Sequence, residues 1–266
     1  MFNLRTYLQR IGFNHAPRAD LTTLRTLQTL HVANIAFENL DVLMGKDIPL
    51  ELNKISNKLL TQQRGGYCFE HNSIMMAVMG ELGFEVEPLM ARAVWQAPVD
   101  APAGPRTHMV LRVNIDDTSW LVDVGFGGLV PTAPLQINTN LKQPTQHESF
   151  CLTECDIGWL LQVEIDQQWQ PLYHIGPEPQ QPVDIEVANW YTSTHPKSKF
   201  RNNLIAARTT EDTRYTLLNN RLSIREKGKE VIRKELDIDE LMSALQDCFL
   251  FEVQPEWRSI LLRLIG

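Results

Sequence analysis

The sequence predicts an α+β fold laid out in three successive textures. Up to about residue 84 the apolar residues recur at helical spacing. From 85 to about 190 they gather in short runs rich in Val, Leu and Trp, separated by Pro, Gly and Asp. The last part, 191–266, carries a hairpin signal followed by two helical stretches. We therefore expect a helical unit over 1–84, an antiparallel β unit with a small barrel as its natural closure over 85–190, and a mixed unit over 191–266.

In chain order, Leu4, Tyr7, Leu8 and Ile11 share one helical face. A second helix opens at Leu21 after Pro17 and Asp20, and Leu27, Leu30 and His31 continue its stripe. Glu51 to Leu60 reads as a further helix. Another follows Cys68, with Phe69, Ile74, Met75, Val78, Met79 and Leu82 at helical spacing and Gly83 as its stop. Strand-like runs then cover Phe84 to Trp95, Thr107 to Ile115, Ser119 to Val124, Glu148 to Thr153, Trp159 to Ile165 and Trp169 to Tyr173. Pro98, Pro102, Gly104 and Pro105 mark a loop between the first two. Asn189 to Leu204 reads as irregular and polar with interspersed aromatics. Asn219-Asn220 is a hairpin turn between Arg214–Leu218 and Arg221–Ile224. Asp237 caps a helix over Ile238 to Phe249, and Trp257 to Ile265 forms the last one.

Composition narrows the function. The chain has 266 residues, 43% of them hydrophobic, and a net charge of −7, which disfavours a nucleic-acid binder. No apolar run approaches the roughly 18 residues of a membrane span, and Met1-Phe2-Asn3-Leu4-Arg5 lacks the apolar core of a signal peptide. Cys68, Cys151, Cys155 and Cys248 form no metal-type pairs and no disulfide framework. The expectation is a cytoplasmic protein in a reducing setting, without metal, in which Cys151, Cys155 and Cys248 are structural or incidental.

The chemistry centres on Arg64-Gly65-Gly66-Tyr67-Cys68-Phe69-Glu70. Two glycines allow a sharp, close backbone turn. Cys68 follows at a helix N-terminus, where peptide dipoles favour a thiolate and free N–H groups face an oxyanion. In the strand Thr107 to Ile115, residues Met109, Leu111, Val113 and Ile115 form the core face, so His108 points to the other side with Val110 and Arg112. A turn centred on Asp116-Asp117 would put Asp123 across from Val110 and diagonal to His108. Thiol, imidazole and carboxylate would then make a nucleophile, its base and an orienting anion. The same His–Asp pair could equally be a structural one. His71, three residues after Cys68 on the same helix face, is a rival base that spacing does not remove. His31 and His15 read as packing or surface residues. Gly125-Phe126-Gly127-Gly128-Leu129-Val130-Pro131-Thr132 is either a plain turn or a nest of bare N–H groups for a phosphate.

Ala36-Phe37-Glu38-Asn39-Leu40-Asp41, Arg64 to Glu70, Thr107-His108 and Asp123-Val124-Gly125-Phe126-Gly127-Gly128 together resemble the arylamine N-acetyltransferase family, in order and spacing, over about residues 1–200. The length is that of its bacterial members, which include N-hydroxyarylamine O-acetyltransferases. The resemblance implies a helical bundle, a central antiparallel β-barrel and a C-terminal α/β lid, related to papain-like thiol enzymes. It implies a Cys68–His108–Asp123 triad, moving the base from His71 to His108. It implies ping-pong transfer from acetyl-CoA, as co-substrate, to a small aromatic amine, hydrazine or N-hydroxyarylamine. Phe37, Arg64, Phe126, Gly127, Gly128, Thr132 and Phe200 become expected substrate- or CoA-binding residues. Phe126 and Phe200 would line the acceptor pocket, and Gly127 to Thr132 would form the CoA-side loop. Glu38 becomes the buried partner of Arg64. A hydrolase or amide synthase built on the same triad, and a non-catalytic binding module, are the competing readings. The sequence leaves acceptor preference and oligomeric state open.

Overall fold

The computed structural model describes residues 2–98, 101–137 and 140–265. The N-terminal helices are α1 (Leu4–Ile11), α2 (Leu21–Asn34), α3 (Leu40–Leu43), α4 (Leu52–Ser56) and α5 (Cys68–Glu81), and α4 runs on into a π-helical turn, Asn57–Thr61. Their starts follow from local chemistry. Asn3 accepts a hydrogen bond from the Thr6 N–H, and Asp20 accepts one from the Thr23 N–H. Gly12 closes α1 in the left-handed region, at φ 73°. A two-residue strand, β1 (Phe37–Glu38), interrupts the helices.

Among the described residues, the middle of the chain folds into eight antiparallel strands: β2 (Glu85–Ala93), β3 (His108–Ile115), β4 (Thr118–Val122), β5 (Leu135–Gln136), β6 (Gln143–Pro144), β7 (Ser149–Cys155), β8 (Gly158–Ile165) and β9 (Gln168–Ile175). Their order is β5-β4-β3-β2-β9-β8-β7-β6. The two edges meet where the Gln143 amide donates to the Gln136 carbonyl and accepts from its N–H, at 2.9 and 2.7 Å, which makes the sheet a nearly closed barrel. The strands next to the helices are buried on both faces. Met109, Leu111 and Val113 pack against α5 and the other helices, while Val110, Leu89 and Leu121 fill the barrel with Leu161 and Val163. The expected core face is thus one of two. Pro88 is tolerated in β2 because the strand pairs only with β3 there and meets β9 only from Ala91 onward.

The chain then forms α6 (Pro182–Thr194), α7 (Lys199–Asn202), strands β10 (Ile205–Thr209), β11 (Thr213–Leu218), β12 (Arg221–Glu226) and β13 (Ile232–Glu235), and helices α8 (Ile238–Asp247) and α9 (Trp257–Ile265). β1 joins this group as the edge of a five-stranded antiparallel sheet, β1-β10-β11-β12-β13. Leu241, Leu245, Trp257 and Leu261 of α8 and α9 pack on Ala206, Leu217 and Leu222 of the sheet. Asp237 caps α8 as expected, accepting from the N–H groups of Asp239 and Glu240. One expectation fails: Asn189 to Leu204 is not irregular. Residues 189–194 end α6, and α7 follows. Pro182 opens α6 at its first turn. The hydroxyls of Thr192, Ser193 and Thr194 donate to carbonyls one turn back, so these weak helix formers satisfy themselves inside the helix.

Candidate active site

Three segments far apart in sequence meet at the seam between α5 and the barrel. Cys68 is the first residue of α5 and is 2% exposed. The Glu70 carboxylate accepts from the Tyr67 N–H at 3.0 Å and braces the helix start. β3 and β4 pair Leu111 with Val122, so the next step along the hairpin places Asp123 across from Val110, the register expected from the turn. His108 Nε2 donates to Asp123 Oδ2 at 2.7 Å. The other ring nitrogen is left for the Cys68 side, where Cys68 Sγ lines the same cavity as His108 and points its thiol to the Thr107 carbonyl at 3.7 Å.

Asp123 is fully buried and takes four donors. Oδ2 also accepts from the Tyr173 hydroxyl at 2.9 Å, and Oδ1 accepts from the Gly125 N–H at 2.8 Å and the Asn72 amide at 3.2 Å. Burial opposes the charge of Asp123, but His108 and these donors hold its carboxyl below the usual carboxylate range. Burial likewise works against the His108 imidazolium, yet the Asp123 charge and hydrogen bond, and then Cys68, lift it well above an ordinary histidine.

Asn72 pins the helix to the barrel. It lies one turn after Cys68 on the same face; its amide also donates to the Met109 carbonyl at 2.8 Å, and its oxygen accepts from the Val124 N–H at 3.2 Å. Gly125 presses against Cys68 so closely that a Cβ there would stand 2.6 Å from the Cys68 Cα and 2.8 Å from the Asn72 amide nitrogen. Tyr173 reaches Asp123 because of a bulge. β8 and β9 slip register between Leu161 and Gln162, which turns Tyr173 inward although Trp169 and Pro171, at the same alternation, face solvent.

Phe37, Phe126 and Phe200 line a cavity of about 60 Å³ with Cys68, His108, Thr107 and Lys199. Asn39 anchors the Phe200 segment, donating to the carbonyls of Phe200 and Asn203 at 2.7 and 2.8 Å. The other sequence-expected residues lie outside this cavity. Arg64 donates to Glu38 Oε1 from Nη2 at 2.6 Å and Nε at 3.0 Å, beneath the Gly65–Gly66 turn, with its guanidinium 4.8 Å from the centre of the Trp257 ring. Thr132 is buried, its carbonyl accepting from the Thr29 hydroxyl at 2.8 Å. Gly127, in the left-handed region at φ 85°, packs over Phe37 and Ala207. Gly128 lines a separate groove of about 420 Å³ with Arg214, Arg221, Arg225 and Arg233, and Ile205 borders both groove and cavity.

His71 points away from the cavity: its Nδ1 sits 2.7 Å from His31 Nε2, and burial pushes it down to about 4. His31 is a buried packing residue and His15 is exposed. Among the residues missed from sequence, Asn72 carried a signal in its spacing of four from Cys68, whereas Tyr173 and Lys199 carried none. Among the described residues, no three His, Cys, Asp or Glu side chains are grouped to hold a metal ion, and no helix is long and apolar enough to cross a membrane.

Residues 20–258 match the profile of a family described as N-acetyltransferase. An arylamine N-acetyltransferase of Mycobacterium tuberculosis is 42% identical over 235 residues, 87% of this chain and 83% of that protein. An arylamine N-acetyltransferase / N-hydroxyarylamine O-acetyltransferase of Salmonella typhimurium is 35% identical over 251 residues, 92% of this chain and 88% of its own. The solved structure of the Mycobacterium marinum arylamine N-acetyltransferase in complex with CoA superposes with a TM-score of 0.93 at 38% identity, covering 99% of this chain and 98% of that one.

Proposed function

Because the chain belongs to the arylamine N-acetyltransferase family, we propose that it carries an acetyl group from acetyl-CoA to an arylamine, hydrazine or N-hydroxyarylamine through a thioester on Cys68. The observation that carries this is that Cys68 and His108 share one cavity while His108 is bonded to Asp123, with that anion held by four donors. Sγ attacks the thioester carbonyl while His108 holds the thiol proton as imidazolium. The oxyanion that forms faces the N-terminus of α5, where helix N–H groups are free to receive it. The tetrahedral intermediate collapses, and the CoA sulfur leaves with the proton from His108. The acceptor nitrogen, or the oxygen of an N-hydroxyarylamine, then attacks acetyl-Cys68 and passes its proton to His108. Collapse releases the product and restores the starting pair.

The two halves of the reaction have different binding needs, and two neighbouring spaces meet them. A flat acceptor suits the cavity walled by Phe37, Phe126 and Phe200, which also excludes water from the acyl-enzyme. The polyanionic end of CoA suits the arginine-lined groove beside Gly128. Intact-protein mass spectrometry with acetyl-CoA and no acceptor tests the proposal. One acetyl group should appear on Cys68 and vanish when an arylamine or hydrazine is added. A reactive thiol that gains no acetyl group would overturn the donor assignment and turn attention to other acyl thioesters and to hydrolysis.

A further inference from the structure

A second histidine cluster lies behind the cavity and takes no part in the chemistry above. Tyr7, His31 and His71, from α1, α2 and α5, are all fully buried. The Tyr7 hydroxyl lies 2.8 Å from His31 Nδ1, and His31 Nε2 lies 2.7 Å from His71 Nδ1. The last nitrogen, His71 Nε2, is buried and reaches no hydrogen-bond partner among the described residues. The carbonyls of Ala36 and Gly66 act on the ring as acceptors, and with Nδ1 turned to His31 the nitrogen left toward them is Nε2. Those carbonyls flank functional backbone. Ala36 precedes Phe37, whose ring runs parallel to that of His71 at 6.3 Å and 7° and lines the cavity. Gly66 bridges to Phe37, accepts from the Glu38 N–H at 2.7 Å, and stands two residues before Cys68.

The protons in this chain follow from its inner end. A bare Nε2 lone pair turned toward two carbonyl oxygens would be repelled, and burial disfavours the doubly protonated ring. His71 Nε2 therefore carries the proton. His71 Nδ1 is then an acceptor, so His31 Nε2 donates to it. His31 Nδ1 must accept, and the Tyr7 hydroxyl supplies the donor. In this assignment the Tyr7 hydroxyl donates to His31 at 2.8 Å in preference to Met75 Sδ at 3.9 Å, and both hydrogen bonds of the chain run one way, from Tyr7 through His31 to His71. Burial, which pushes both histidines down, keeps them neutral through the physiological range.

We propose that His71 is a positioning residue: locked in its Nε2–H tautomer by His31 and Tyr7, it fixes Phe37 and the Gly66 turn, and so sets the wall against which the acceptor ring lies. The kinetic part rests on the acetyl-transfer reading; the tautomer part does not. The first experiment is NMR of the unmodified protein labelled with ¹⁵N at histidine. It should show two neutral Nε2–H imidazoles joined by a through-hydrogen-bond N–N coupling, unchanged across about pH 5.5–8 where a free histidine titrates. A protonated Nδ1 on the accepting ring, a missing coupling or titration in that range overturns the proposal whatever the enzyme acylates.

The second experiment measures the two half-reactions separately. His71→Leu should lower kcat/KM for the acceptor about tenfold and leave kcat/KM for acetyl-CoA within about twofold, because the displaced wall belongs to the acceptor side. His71→Gln should recover most of the loss, since its amide can accept from His31 and donate toward Ala36 and Gly66. A general loss of folded protein lowers both half-reactions together. A proportional fall in both, with Gln no better than Leu, would therefore sink the positioning role. If neither variant folds, the NMR of the unmodified protein decides alone.

Discussion

Replacing Arg64 by methionine tests how the turn that presents Cys68 is held. Five charged side chains meet beneath it. Arg64 contacts Glu38 at 2.6 Å and Asp41 at 3.4 Å, and Lys58 contacts Asp41 and Glu70 at 2.8 Å each. Three carboxylates thus face these two buried cations, with the exposed Lys46 3.6 Å from Asp41 at the rim, and the substitution removes one of the two buried positive charges. Glu38 is fully buried, and its nearest remaining cation, Lys58, stands 3.9 Å away and is already shared by the other two acids. Methionine keeps apolar bulk against Trp257, so the loss is mainly electrostatic. Removing one partner of a buried pair costs about 3–5 kcal/mol. At about 2–4 °C per kcal/mol for a chain approaching this size, the melting temperature should fall by about 6–20 °C. Urea unfolding at pH 7.5 measures the penalty directly. The double variant Glu38→Gln/Arg64→Met removes the stranded carboxylate along with its cation and keeps an acceptor for the Leu40 N–H, which Glu38 now holds at 2.6 Å. It should recover at least about half of the loss. A penalty below about 1 kcal/mol, or a double variant no more stable than the single, would refute the charge argument.

Three other perturbations probe the site itself. Gly125→Ala places a methyl group 2.6 Å from the Cys68 Cα, so kcat/KM should fall by about a hundredfold or more, with about 1–3 kcal/mol of destabilisation; near-normal turnover would show that the contact has slack. Tyr173→Phe removes one of four donors on Asp123 without changing shape, and should cost about 1.5–3 kcal/mol in denaturant titrations; no loss would mean that the hydroxyl is idle. His108, raised to about 10, contributes stability fully below its unfolded value of about 6.5 and loses it as the pH climbs through the folded value. Asp123, held low, contributes above about 3.9 and loses its share in acid. The stability difference between wild type and His108→Gln should accordingly shrink from about pH 6.5 toward pH 10; a difference that grows with pH would contradict the pairing.

What the sequence disclosed was whatever depends on local spacing. The β3–β4 hairpin registers on its own turn, so the approach of Asp123 to His108 could be read from the count of residues around Asp116-Asp117. α5 and α8 announce themselves by period and cap. Hidden features need a partner or an irregularity. α6 is built from Val, Ile, Asn, Thr and Ser, which are indifferent helix formers. Its helix is imposed from outside as well as by its own hydroxyls, because Asn189 bonds the Tyr67 hydroxyl through its oxygen and the Ile48 carbonyl through its amide, at 2.9 Å. Tyr173 faces Asp123 only because one extra residue in β9 reverses the alternation. No periodicity argument can foresee a bulge. Arg64 illustrates a third kind of gap: its neighbour Glu38 was identifiable through resemblance, but its distance from the cavity depends on how β1 threads past Gly66.

These locks divide the labour around Cys68. Cys68 is fixed from three directions by different physics: Asn72 hydrogen-bonds its helix to β3 and to the residues after β4, Gly125 fills the gap by contact, and the Arg64–Glu38 pair holds the turn before it. Only the His108–Asp123 direction changes protonation during the proposed cycle. If the proton moves between Cys68, His108 and substrate while Asp123 keeps its charge, four donors on that carboxylate are what the cycle requires. They stabilise the anion in both states of His108, so the imidazole can give up its proton without leaving a buried charge unmet. A triad whose aspartate depended on His108 alone would lose that support each time the leaving thiol took the proton. In the proposed cycle, Tyr173, Asn72 and the Gly125 N–H would keep Asp123 ionised throughout, which would place the cost of burying the charge in the folded protein instead of in the reaction barrier.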